Sequence, residues 1–117
     1  MNDADIPILK KTYELYKLFH EYRKVISKAN RFTIYERCEN LIIDLIECFF
    51  EAGYAKTVNK AVILDRASVR LNSLRLFVRL MKETYAIDNK KYLALQTIID
   101  EIGRMLGGWI RSTGPTT

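Results

Sequence analysis

Imidazole and thiol groups, the side chains most often used to bind transition metals, are sparse in this 117-residue sequence: one histidine, His20, and two cysteines, Cys38 and Cys48. A di-iron site in a helical bundle draws on Glu-x-x-His pairs that face the core, but the residue three before His20 is Lys17. One histidine and two separated thiols match no zinc spacing. Cys38 and Cys48 fall on one expected helix, roughly 15 Å apart at about 1.5 Å per residue, whereas a disulfide needs Cα atoms within about 7 Å. They read as buried structural thiols. Neither a phosphate-binding glycine loop nor a nucleophile elbow occurs. The sequence therefore offers no catalytic residue, no metal ligand and no cofactor site, and it reads as a non-enzyme.

Arginine supplies the remaining chemistry. Arg66 and Arg70 share one edge of an expected helix at a spacing of four, and Arg75, Arg79 and Lys82 share another. A guanidinium makes paired hydrogen bonds to phosphate or carboxylate, so these groups suit an anionic partner. That partner is either a polynucleotide or an acidic protein face. Gly103, Gly107 and Gly108 are equally conspicuous, since a glycine inside a helix costs about 1 kcal/mol relative to alanine. Gly103 and Gly107 share a face, where a missing Cβ is expected to admit another backbone.

Helical periodicity supplies the elements that must position these groups. The first helix is expected over residues 6–27, with Asp5 as N-cap and Ile8, Thr12, Leu15, Phe19, Tyr22 and Ile26 on one face. Lys28 to Arg31 form a short connection. Thr33 and Glu36 read as a capping box for a second helix over 34–52, whose stripe is Ile34, Cys38, Leu41, Leu45, Cys48 and Ala52, with Gly53 as stop. The third helix, 58–85, buries Leu64, Ala67, Leu71, Leu74, Val78, Met81 and Tyr85. Asp88 caps a fourth over 89–111, with Tyr92, Leu95, Ile99, Ile102, Leu106 and Trp109 inward. Residues 112–117 read as a disordered tail. One all-α domain follows, an antiparallel up-down-up-down four-helix bundle. None of the core stripes contains a charged residue, which excludes an active site inside the bundle.

Apolar residues remain after the core is filled. Val62, Val69, Leu76 and Leu80 form a second stripe on the third helix, and Ile43, Ile46 and Phe50 lie outside the core stripe of the second. A repeating exposed stripe marks an interface, so a homo-oligomer is expected. The net charge of +5 is uneven: +3 over residues 1–31, −4 over 32–55, +5 over 56–85 and +1 over 86–117. An acidic start and the lack of a long apolar run exclude a signal peptide and a membrane span, and point to the cytoplasm.

The segment Glu101-Ile-Gly-Arg-Met-Leu-Gly-Gly-Trp109 resembles the C-terminal signature of Avd, the accessory variability determinant family of diversity-generating retroelements. Arg31-Phe-Thr-Ile34 with Arg37, Glu51-Ala52 and Leu74-Arg-Leu-Phe-Val-Arg-Leu80 match the same family, so the resemblance covers about residues 8 to 111. The chain departs at Ile26-Ser27-Lys28, where the family often has Phe-Pro-Lys; the lysine is kept and the rigid turn is lost. The resemblance implies a ring-shaped homopentamer that binds the retroelement's reverse transcriptase and RNA or DNA during mutagenic cDNA synthesis. Among motif positions, Arg31, Arg37, Arg75, Arg79 and Arg104 are the candidate phosphate contacts, Arg104 having Asp100 as an alternative partner. Lys28, Arg66, Arg70 and Lys82 are candidates on charge alone. A protein-only scaffold, or a four-helix protein of the ribosomal-RNA intervening-sequence type, is the competing reading.

Overall fold

The computed structural model describes residues 6–113. Apolar stripes stepping by three and four residues fold them into four long helices, α1 (Ile6–Tyr22), α3 (Ile34–Tyr54), α4 (Thr57–Glu83) and α5 (Asn89–Thr113). A single-turn helix, α2 (Lys28–Arg31), sits in the first connection. Each long helix packs against two others, in the order α1, α3, α4, α5 and back to α1. Short connections make every neighbour antiparallel, which gives the expected up-down-up-down bundle. The rod measures 48 × 23 × 22 Å.

The expected stripes line its axis. Ile8, Leu15, Phe19, Ile26, Leu64, Leu71, Leu74, Met81, Leu95, Ile99 and Ile102 are all buried. Thr12 is the only buried polar side chain among the described residues, and its hydroxyl donates to the Ile8 carbonyl at 2.7 Å. Both thiols are free and buried, and burial pushes that of Cys38 up to about 12. α3 buries a wider face than one stripe, adding Tyr35, Ile42 and Phe49, because it touches α1 on one side and α4 on the other. Tyr35 stacks on Phe19 with ring centroids 4.4 Å apart and donates its hydroxyl to the Phe19 carbonyl at 2.9 Å. Ile34, Tyr22, Tyr92 and Trp109, expected in the core, are only half-buried at its margin.

Several expected boundaries change. α1 tightens into a 3-10 turn at Arg23–Val25 and ends at Ile26, whose backbone is extended. Thr33 forms no capping box: its hydroxyl turns back to the helical turn just before it and donates to the carbonyls of Ala29 and Asn30 at 3.1 and 3.3 Å. α3 runs through Gly53 to Tyr54 and stops where Ala55 becomes extended. α4 ends at Glu83, before Tyr85, which adopts a left-handed conformation with φ 64°. The reversal carries the Tyr85 ring into solvent and brings Ile87 into the core in its place. Ser112 and Thr113 continue α5, while Asp5 and residues 114–117 lie outside the described residues.

Candidate nucleic-acid interface

Antiparallel packing gathers the α1–α3 and α4–α5 connections at one end of the rod. Residues 20–37 and 79–92, the turns around these two connections, hold nine basic and four acidic side chains, a net charge of +5. The rest of the chain holds ten basic and ten acidic side chains. The whole formal net charge of the protein therefore belongs to this connection end.

Pairing differs as sharply as charge. On the flank of the rod, Arg66 meets Glu51 at 3.0 Å, Arg70 faces Asp44 at 3.7 Å and Arg75 faces Asp100 at 3.6 Å. Lys11 bridges α1 to α5 through Glu101 at 2.8 Å and also reaches Glu14 at 3.2 Å. Its hydrogen bond to Glu101 raises the lysine and lowers the carboxyl from their ordinary values. At the connection end the one ion pair among the described residues is Lys91 with Asp88, at 3.3 Å. Asp88 also caps α5, accepting the Lys91 backbone N–H at 2.8 Å, and that bond holds its carboxyl below the usual range.

Lys91 and two further cations there lie near rings. Arg23 sits 5.9 Å from the Phe32 centroid, Lys82 4.9 Å from Tyr92 and Lys91 5.7 Å from Tyr22. Lys24, Lys28, Arg37, Arg79 and Lys90 are exposed and make no ion pair within the described residues. A set of cations with no carboxylate to answer them is what an external polyanion requires.

The candidate residues thus separate into two groups. Lys28, Arg37, Arg79 and Lys82 lie at the connection end, together with Arg31. Arg31 is partly structural, since Nη2 donates to the Ile26 carbonyl at 3.1 Å and Nε is enclosed without a partner. Arg66, Arg70 and Arg75 answer carboxylates of this same chain. Arg104 is exposed and does not take Asp100, which instead lies within reach of Arg75 and accepts from Gln96 at 3.2 Å.

Gly103 explains the position of Arg75. A Cβ there would collide with the Arg75 guanidinium, so the glycine admits a side chain from α4 and not the expected backbone. At Gly107 and Gly108 the nearest atoms belong to Arg111, one turn along the same helix. α5 continues past both to Thr113.

Along α4 the second apolar stripe faces solvent, from Val62 at 62% exposure to Leu80 at 41%, with Val69 and Leu76 between. Phe50 is exposed and packs on Tyr54 with centroids 5.2 Å apart. Together with Val62 they line an open groove of about 700 Å³ between the end of α3 and the start of α4. Ile43 is less exposed, and Ile46 is half-buried against the core.

The bAvd-like family model matches residues 6–113, the whole described chain. The protein belongs to the bAvd-like family. No curated protein matches the chain. Among the described residues, no helix of this bAvd-like bundle is long and apolar enough to cross a membrane.

Sequence reasoning passed over Lys24 and Lys90 at the connection end, took Phe32 only as part of a family motif and placed Tyr85 in the core. The signal was available, because charge summed along the chain divides the two connections between separate windows, whereas charge summed by end of an antiparallel bundle unites them.

Proposed function

We propose that this bAvd-like protein is a non-catalytic accessory subunit of a diversity-generating retroelement, one that binds the reverse transcriptase and RNA or DNA and supports mutagenic cDNA synthesis. The family match over residues 6–113 carries this reading. The unpaired cations of the connection end support the nucleic-acid part, since phosphate contacts supply most sequence-independent affinity. The exposed stripe of Val62, Val69, Leu76 and Leu80 supports a homo-oligomer, five subunits being the number implied by the family resemblance, and it lies on the flank, clear of most of those cations.

Affinity for RNA and DNA measured across salt tests the proposal. Each neutralised phosphate on a single strand contributes about −0.7 to the slope of log affinity against log salt. A steep slope is expected, with retention of the cognate reverse transcriptase in a nuclease-treated pull-down. A flat slope with retention intact would leave the competing protein-only scaffold, in which the cations grip an acidic partner. Leu76→Glu is expected to reduce the mass seen by light scattering while helicity stays near that of the parent.

A further inference from the structure

Tyr85 is placed where neither backbone nor packing favours a tyrosine. α4 ends in a Schellman arrangement: the Ala86 N–H donates to the Met81 carbonyl at 2.8 Å and the Tyr85 N–H to the Lys82 carbonyl at 3.1 Å. The residue that makes the second of these bonds must adopt positive φ, which glycine or asparagine does at little cost and a bulky L-residue does under strain. Tyr85 does so at φ 64°, and its ring is 92% exposed, so no buried contact compensates. Phe32, in the other connection at the same end, is 59% exposed and has a guanidinium 5.9 Å from its centroid.

Exposed aromatics in the two connections of an end where nine cations outnumber four carboxylates describe a surface suited to planar, anionic partners. The exposed cations Lys24, Lys28 and Lys90 lie in the same two connections or in the first turn after them. We propose that the connection end binds single-stranded polynucleotide, with bases stacking on Tyr85 and Phe32 and phosphates meeting Lys24, Lys28 and Lys90. This rests on the nucleic-acid reading above and adds the form of the ligand: a duplex hides its base faces, whereas a single strand offers them to rings. Charge complementarity decides against an apolar protein partner, because the two rings stand at the end where nine basic side chains meet four acidic ones.

Tyr85→Gly is the informative variant, since glycine suits the left-handed position and should leave the melting temperature equal or higher. Binding of the full-length protein to oligouridylate, oligothymidylate and a mixed-sequence duplex is measured by fluorescence anisotropy. The expected result is a loss of about five- to a hundredfold in single-strand affinity, the range for one base–aromatic stack. Tyr85→Phe should retain affinity, Phe32→Ala should lose it, and Tyr13→Ala, an exposed tyrosine on the flank, should leave it unchanged. The two oligonucleotides separate RNA from DNA as the source of the strand. Tight single-strand binding that is indifferent to Tyr85→Gly and Phe32→Ala would overturn stacking while leaving the broader reading intact. Failure of the parent protein to bind any of the three would overturn both. A variant that alters subunit mass or polymerase retention but not oligonucleotide affinity would assign the rings to a protein contact and also overturn the proposal.

Discussion

The flank and the connection end of this rod carry similar numbers of cations and use them differently. On the flank, Arg66, Arg70, Arg75 and Lys11 each face a carboxylate on a neighbouring helix or turn. At the connection end nine cations share four acidic residues, and only Lys91 forms an ion pair among the described residues. The difference shows why the spacing of arginines on a helix is a poor guide to what they bind. The regular Arg66/Arg70 edge attracted attention in the sequence because it was periodic, and periodicity is what lets a neighbouring helix answer it. Exposed pairs of this kind contribute only about 0–1 kcal/mol each, so they tune the packing of helices more than they hold it.

Replacing Lys24, Lys28 and Lys90 together with alanine should have the largest effect on this contrast. Single-strand affinity should fall on the order of a hundredfold at low salt, and the salt slope should lessen by about 2. The matching change on the flank, Arg66 and Arg70 to alanine, should alter affinity by less than about threefold. Parallel salt titrations of the two variants measure it, and equal losses would dissolve the distinction between the regions.

Alkali should expose the opposite property, the interior's aversion to charge. Burial pushes the Tyr35 phenol up to about 12 and the Cys38 thiol likewise to about 12. In each case the folded value exceeds the unfolded one, so the stabilisation is complete below about pH 9 and is lost as pH rises towards 12. For Tyr35 alone, two units correspond to up to about 3 kcal/mol. Melting temperature should fall progressively above pH 9. Tyr35→Phe should flatten that fall while costing about 1 kcal/mol at neutral pH, through the lost bond to the Phe19 carbonyl.

The smallest expected effect is Ser27→Pro. Ser27 sits at φ −60°, ψ 152°, after an extended Ile26 at ψ 131°, and its N–H makes no backbone hydrogen bond outside the helices. Proline fits this geometry, so the substitution should stabilise by about 0.4–1 kcal/mol, read as a rise of a few degrees in melting temperature.

Most of the bundle was legible in the sequence because burial repeats with the helix, and a repeat survives small errors in register. Tyr85 was misplaced for that reason: it continues the seam of α4 in spacing, but the seam ends where φ changes sign, and side-chain type carries no record of that change. Thr33 and Gly53 were read from rules that other contacts overrode, the first because its hydroxyl turns back to carbonyls of α2 and the second because α3 is already held on both sides. Gly103 was recognised as unusual from composition, yet its partner, the Arg75 guanidinium, is set by the pairing of α4 with α5 and lies beyond any local pattern.

The number of passes the chain makes along the rod has a practical consequence. Four is even, so residue 113 returns to the end from which residue 6 departs, and the α1–α3 and α4–α5 connections lie at the other end of a rod 48 Å long. A fluorophore, an affinity handle or a surface tether attached near residue 7 or residue 113 thus leaves the cationic tip unobstructed, and two labels placed at those positions would report on each other and not on whatever the tip holds.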